Sequence, residues 1–371
     1  MNILVIAHYQ DDGSYSASFI DSQVRAYARL GHKVFLIVPI TLGKKYKYSI
    51  LDKKIIENNV EIYYVKTISL SNYGQWNLNP IFGYLGLKNL IKKINEQSKI
   101  DFIHAHTIPY DGKISILLKR KFNIPVIITT HGSDTIISVK NNKKKKIIDI
   151  CKNADQVIAV SSKLKKELGE LKNIEVILNG IEKYEISPRK KDLYKVVQVS
   201  SLIKRKNIDT SIKVINEVRK QYPMVKFLII GEGKEEKNLK KLVQELDLEK
   251  NVDFLGQLPN KKVLEILQES NIFIMPSINE GLGIVYLEAM SNRCITIGTK
   301  GEGISDVIEN GKNGFLMEAY NIQKISDLII EILNGNFDDE DIRRNAKNTV
   351  DGMTWEWNAS EYIKIMKKII S

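Results

Sequence analysis

The chain has 371 residues, more than one hydrophobic core comfortably serves, so two domains are the starting expectation. Apolar residues make up 43% and charged residues 27%; with 8 Pro, 22 Gly and no low-complexity tract, disordered and fibrous classes are excluded. The net charge of +12 is unevenly spread, with +11 carried by residues 1–185 and +1 by the rest. The excess clusters at Lys44, Lys45, Lys47, Lys53 and Lys54, at Lys92 and Lys93, and at Lys143–Lys146. Two readings stay open, a solvated Lys-rich surface or attraction to an anionic membrane surface. Nucleic acid is not expected as a partner, because Arg is scarce and no basic stretch is interleaved with aromatics. No apolar run approaches the roughly 20 residues of a membrane-spanning helix. The opening Met1–Ala7 has no cationic flank or cleavage site and reads as no signal peptide. The two cysteines, Cys151 and Cys294, lie far apart without metal-ligand spacing, which fits a reducing cytoplasm rather than a disulfide scaffold or a zinc site.

In chain order, short Val- and Ile-rich runs alternate with amphipathic stretches, the pattern of parallel sheets covered by helices. In the first half the spacing predicts strands at 2–7, 33–39, 60–66, 101–104, 125–130, 155–160 and 175–178. A helix is predicted over 16–30, where Phe19, Ile20, Val24, Tyr27 and Leu30 recur near period 3.6. In the second half the predicted strands are 195–200, 226–230, 251–255, 272–275 and 294–298. The predicted helices there are 207–221, 235–246, 263–269, 283–292 and 323–333. The acidic run Asp338, Asp339, Glu340 and Asp341 reads as a solvated helix start. A polar boundary falls within 182–192, giving domains 1–185 and 186–354. A last amphipathic helix, 355–371, carries Trp355, Ala359, Tyr362, Ile363 and Met366 on one face and is expected to cross back to the first domain. The expected architecture is α/β, two Rossmann-like doubly wound domains facing a central cleft.

The sharpest chemical signal is the segment from Pro276 to Met290. It follows a predicted strand, turns on Gly281 and Gly283, and enters a helix near Gly283. Free backbone N–H groups and the positive end of the helix dipole make such a turn a phosphate cradle. Gly281, Leu282, Gly283 and Ile284 form the cradle. Glu280 aims a carboxylate at what lies beyond the phosphates, and Glu288, about one and a half turns into the helix, is placed to accept from ribose hydroxyls.

Glu280 through Met290 after Pro276-Ser277 resembles the E-G-F/L-G-x-x-x-x-E-A-M hallmark of the retaining family 4 glycosyltransferases (glycosyl transferases group 1). Other pieces are similar to that family in the same order. Leu30-Gly31-His32-Lys33-Val34 resembles L-G-H-x-V. Val176 through Glu182 resembles V-I-P-N-G-I-D, with Leu178 for the proline. Glu302-Gly303-Ile304-Ser305-Asp306-Val307-Ile308 resembles G-G-I-P-E-V-I. The resemblance covers essentially the whole chain and implies the GT-B fold, a nucleotide diphosphate sugar as donor, and retention of anomeric configuration. The family's phosphate-binding R-x4-K falls on Ser201 through Lys206. The lysine is present as Lys206, the arginine is replaced by Ser201, and Lys204 and Arg205 are the neighbouring cations.

By the same resemblance, His131 approaches the transferred sugar, and Gly13 belongs to a loop closing over donor and acceptor. Gly231 and Leu258 belong to loops beside the nucleotide base, and His104 and His106 stand at another strand end as cleft-wall candidates. The expected catalytic residues are Glu280, His131 and Lys206. Donor contacts are expected from Gly13, Ser201, Arg205, Lys206, Gly231, Leu258, Gly281, Leu282, Gly283, Ile284 and Glu288. No metal and no other cofactor is expected, since no D-x-D stands in a suitable context and fixed charges can receive the leaving diphosphate. The expected function is transfer from a nucleotide diphosphate sugar, UDP-sugar favoured, to a saccharide or polyprenyl-diphosphate-linked acceptor in surface polysaccharide or glycoconjugate synthesis. The expected location is the cytoplasm, peripheral at the inner membrane face. The alternatives are another GT-B enzyme, such as a nucleotide-sugar epimerase, or a non-catalytic nucleotide-binding protein.

Overall fold

The computed structural model describes residues 1–7, 18–41, 53–55, 59–67, 79–132, 135–136, 143–183 and 189–371. Gly13 therefore lies outside the described residues, as do Lys44, Lys45 and Lys47. The chain forms two compact units, 1–180 with 355–371, and 181–354. The division comes after Gly180 rather than at 185. Beyond Gly180 the chain bonds to the end of the second unit: Ile181 N–H donates to Met353 O at 2.9 Å, and Ile181 bridges Thr354. By this division the first unit holds 30 basic and 17 acidic side chains, net +13, and the second 26 and 27, net −1.

The first unit is an eight-stranded sheet among the described residues. Its strands are β1 (Asn2–Ile6), β2 (Lys33–Thr41), β3 (Lys53–Ile55), β4 (Val60–Thr67), β5 (Phe102–Ala105), β6 (Val126–Thr130), β7 (Gln156–Ala159) and β8 (Ile174–Val176). Their order is β3-β4-β2-β1-β5-β6-β7-β8, parallel except for β3. The inner strands are buried along their length, as near-continuous Val/Ile runs require. Strand β3 was not expected; with two lysines in three residues it has no readable apolar alternation. The helices are α1 (Ser18–Arg29), α2 (Asn79–Gln97), α3 (Lys113–Phe122), α4 (Lys144–Asn153), α5 (Ser162–Leu168) and, from the chain's end, α12 (Trp355–Ile370).

Helix α12 buries Trp355, Ala359, Tyr362, Ile363 and Met366, the stripe legible in its sequence, and packs against α1. Buried polar contacts fix its register. Gln23 Nε2 donates to Asn358 Oδ1 at 2.6 Å, Asn358 Nδ2 donates to Leu178 O at 2.8 Å, and the Tyr362 and Thr129 hydroxyls meet at 2.9 Å. Such groups are costly to bury without partners, so only one seating of the helix satisfies all three.

The second unit is a six-stranded parallel sheet of β9 (Asp192–Val199), β10 (Lys226–Ile230), β11 (Val252–Phe254), β12 (Ser270–Ile274), β13 (Ile295–Thr299) and β14 (Phe315–Met317). Its helices are α6 (Ile208–Val218), α7 (Glu236–Glu245), α8 (Asn260–Glu269), α9 (Ile284–Ser291), α10 (Ile322–Leu333) and α11 (Asp339–Val350). The order β11-β10-β9-β12-β13-β14 is the 3-2-1-4-5-6 winding, whose direction reverses between β9 and β12. The acidic run does start a helix: Asp338 caps α11 by accepting Asp341 N–H at 3.0 Å. Strand β14, three residues at the sheet edge, was not expected. The core gathers Val196, Phe227, Ile229, Ile272, Ile274, Ile295 and Ile297 against the inner faces of α6 and α10. The carboxyl ends of β9 and β12, flanking the reversal, are left to loops, and these loops carry the chemistry.

Candidate functional site

At the switch point of the second unit, the loop after β9 brings Lys206 against Glu280 from the loop after β12. Lys206 Nζ and Glu280 Oε2 form a close ion pair, and both side chains are buried. Arg205 Nη1 lies 3.3 Å from the same oxygen, with the guanidinium partly exposed. A buried charge needs a partner of opposite sign, so losing either member of this pair would strand the other between the two loops. The main chain reinforces it. Ile278 N–H donates to Arg205 O at 2.8 Å, and Asn207 Nδ2 donates to Pro276 O at 2.9 Å. Below them Gln198, buried on β9, donates to Lys206 O at 3.0 Å and accepts from Ser211 Oγ at 2.7 Å.

The turn after β12 is bent by two left-handed residues, Asn279 (φ 56) and Gly283 (φ 79). Gly283 caps α9, and a Cβ there would lie 2.8 Å from the Tyr286 ring, so glycine is required by both conformation and space. The Tyr286 hydroxyl donates to Met275 O and lies 3.2 Å from Ser277 Oγ, tying the first turn of α9 back to β12. The first N–H groups of a helix have no partner within it, so those of α9 are the natural donors for an anion. Glu302 completes the turn: its carboxylate accepts Asn279 N–H at 3.1 Å and Glu280 N–H at 2.7 Å.

Thus Glu280, Lys206 and Arg205 are brought together beside Gly281–Ile284. Other expected residues stand differently. Ser201 is exposed in the loop after β9. Gly231 (φ 131) needs no ligand to explain it, because a Cβ there would lie 2.1 Å from Ser200 O. Gly233 is likewise pressed against Leu202 O. The G-x-G signal therefore reports close loop packing. Leu258 is half-buried just before α8. Glu288 is buried, accepts from Asn260 Nδ2 at 3.4 Å, and helps line a cavity of about 730 Å³ with Leu264, Gln268 and Ser291. Among the described residues no group of three or more His, Cys, Asp or Glu side chains is placed to hold a metal ion. Glu302, Asn207 and Gln198 were not singled out from the sequence. Only Glu302 left a trace there, as a departure from the glycine of the resembled motif.

His131 belongs to the first unit, where parallel pairing of β5 and β6 sets it beside His106. His106 Nδ1 and His131 Nε2 are 3.1 Å apart with their rings stacked, and Phe19 packs on His131 with ring centroids 4.4 Å apart. His104, fully buried, contacts Thr129 Oγ1 at 2.8 Å and the Tyr27 hydroxyl at 3.3 Å. His104 is thus a packing and hydrogen-bonding residue of the core. Burial first, and for His104 the neighbouring His131 second, pushes His104 and His131 down to about 3. Burial, with His104 and His131 adding to it, holds His106 well below the ordinary imidazole range.

All three imidazoles are neutral at physiological pH, so His131 can serve as a neutral hydrogen-bonding group and not as a cation. The stability this lends the first unit is complete above about 6.5, the unfolded-state value, and declines as pH falls from there toward about 3. The ring resonances of His104, His106 and His131 should therefore show no titration between about pH 7.5 and 5. The unfolding free energy of the first unit should fall over the lower part of that range. Midpoints near 6.5 by NMR would contradict the buried neutral cluster.

Comparison with known proteins bears on the family and the fold. The family model for glycosyl transferases group 1 matches residues 181–349, and that for glycosyltransferase family 4 matches residues 16–183. An uncharacterized glycosyltransferase of Methanocaldococcus jannaschii is 30% identical over 269 residues, covering 71% of this chain and 74% of its own. The N-acetyl-alpha-D-glucosaminyl L-malate synthase of Bacillus anthracis is 27% identical over 364 residues, 91% of this chain and 88% of its own. Among solved structures, Anabaena HepE in complex with UDP and glucose superposes with a TM-score of 0.72 at 18% identity, covering 99% of this chain and 100% of that one. With two parallel-sheet α/β units, matching family models and a 30% identical relative, the chain belongs to the group 1 glycosyl transferases and has the GT-B fold.

Proposed function

We propose that the chain is a retaining transferase moving a hexosyl or N-acetylhexosaminyl group from a UDP-sugar to a hydroxyl of a saccharide or lipid-linked saccharide. The observation that carries this reading is the cluster of Lys206, Arg205 and Glu280 at the switch point, next to the amino end of α9. Two cations and a helix N-terminus make a receiver for a diphosphate, and a carboxylate within the same cluster suits the hydroxyls of an attached sugar. The name of the Bacillus relative speaks for an N-acetylglucosaminyl group, and the HepE complex speaks for UDP.

In this reading the diphosphate takes Lys206 and Arg205 as its counter-charges. Arg205 supplies what the family arginine, replaced by Ser201, no longer does. The bond from the anomeric carbon to the phosphate oxygen breaks, and the acceptor oxygen joins the same face. The acceptor's proton passes to the departing phosphate. Glu280, freed from Lys206, orients sugar hydroxyls and steadies the positive charge that develops at the anomeric carbon. Glu288 holds the ribose, and fixed cations make an added metal unnecessary. Purified protein in EDTA should hydrolyse one member of a panel of UDP- and GDP-sugars. Glu280→Gln and Glu280→Ala should lower that turnover by on the order of 100-fold or more. Near-normal rates in both variants would remove Glu280 from the reaction.

The acceptor reading rests on the first unit. Its net +13 would draw it to anionic lipid, and α2 adds an apolar foothold. Ile81 and Leu85 are exposed and share a helix face with Lys88 and Lys92. Among the described residues no helix is long and apolar enough to cross a membrane, so any membrane contact in this reading is with the surface. The expected result is co-sedimentation with phosphatidylglycerol vesicles at low salt, lost with phosphatidylcholine vesicles and weakened in an Ile81→Ser, Leu85→Ser variant. Equal binding to neutral vesicles, or none to anionic ones, would overturn it.

A further inference from the structure

We infer that Glu302 is a positioning residue for Glu280, a device this chain carries where the resembled motif has glycine. The inference rests on the reading that Glu280 acts on the donor. Glu302 stands beyond β13, just before the short 3-10 turn Gly303–Asp306, and is half-buried. Its two carboxylate oxygens engage two consecutive main-chain donors, Asn279 N–H at 3.1 Å and Glu280 N–H at 2.7 Å. A two-point, charge-assisted grip of this kind fixes direction as well as distance.

The gripped turn is held from two sides. Asn279 has φ 56, a left-handed conformation that Asn adopts more readily than other non-glycine residues and that its contacts here hold in place. On one side, Arg205 O accepts Ile278 N–H at 2.8 Å, and Arg205 Nη1 lies 3.5 Å from Asn279 O. On the other stands Glu302. Its own backbone cannot drift, because the next residue, Gly303, is so close that a Cβ there would lie 1.7 Å from Gly281 O. The loop after β13 is thereby pressed onto the turn after β12, and the carboxylate is delivered to the two amides from a rigid base.

The consequence lies in where the Glu280 side chain starts. Its Cα is set by its own N–H, held by Glu302, and by Asn279, held in the left-handed region. Release of that grip lets Asn279 leave the left-handed region and swings the Glu280 carboxylate away from Lys206. Lys206 and Arg205 both lie against the Glu280 carboxylate. Glu302 spends its charge on main-chain donors, which leaves both cations to Glu280 and, in the proposed reaction, to the diphosphate.

The test uses Glu302→Gln, which keeps the shape and one acceptor, and Glu302→Ala. The probe is whichever of UDP-N-acetylglucosamine, UDP-glucose and GDP-mannose the wild-type chain turns over fastest. Hydrogen exchange of the peptide containing Asn279 and Glu280 is measured alongside. The expected result is a kcat lower by about tenfold in Glu302→Gln and more in Glu302→Ala, with KM and nucleoside diphosphate affinity within about twofold of wild type. The two amides should exchange faster in both variants. An unchanged kcat, or a parallel loss of kcat, affinity and melting temperature that marks a merely structural role, would overturn the inference. Unchanged exchange of the two amides would overturn it without reference to activity. Full turnover by Glu280→Gln would instead fail the underlying reading of the site.

Discussion

The ion pair between Lys206 and Glu280 is the contact on which the proposed reading of the second unit's site depends. It joins the loops that leave the two strands flanking the reversal of the sheet, and it does so where both charges are shielded from water. Neither group can be buried alone. Removing one partner of such a pair typically costs roughly 3–5 kcal/mol, because the other charge is left stranded. The pair therefore holds the loops in register and also stores a cation ready for another anion. In the proposed reaction, a diphosphate arriving at the amino end of α9 competes with Glu280 for Lys206 and Arg205, and whatever it takes from them it frees in the carboxylate.

The winding of the sheet explains why this pair forms where it does. With order β11-β10-β9-β12-β13-β14, the chain leaves β9 toward one side and β12 toward the other, so no crossover covers the gap at their carboxyl ends. Loops from β9, β12 and β13 fill it instead. They and the loop after β10 are packed so closely that Gly231, Gly283 and Gly303 each occupy a spot where a Cβ would collide. Tight backbone packing supplies the rigidity, and the buried polar contacts of Gln198, Asn207 and Glu302 set the direction of each main-chain group. The first unit solves a different problem, with neutral imidazoles buried among Tyr27, Thr129 and Tyr362.

Much of this was legible in the order of residues. Each inner strand announced itself as a Val/Ile run, because a strand buried on both faces has no polar alternation to confuse it. The turn at Glu280–Ile284 was legible because two glycines between an apolar run and a helical pattern admit few conformations. What escaped depends on tertiary approach. Strands β3 (Lys-Lys-Ile) and β14 (Phe-Leu-Met) lack the apolar–polar alternation of the equally short β8 (Ile-Glu-Val) and β11 (Val-Asp-Phe). Glu302 reaches Asn279 and Glu280 across more than twenty residues, and its one local mark, a carboxylate where the resembled motif has glycine, does not say what it contacts. Gly231 carried an ambiguous signal, since a G-x-G loop packed on Ser200 O looks the same in sequence as one packed on a ligand. The pairing of His106 with His131 follows from the adjacency of β5 and β6, which strand spacing alone does not settle.

The most direct test of the central claim is a crystal structure of the chain with UDP bound. The account expects Lys206 Nζ to have exchanged Glu280 for a phosphate oxygen at about 2.7–3.2 Å, with the Glu280 carboxylate released from both cations. UDP seated elsewhere, with the Lys206–Glu280 contact intact, would contradict it.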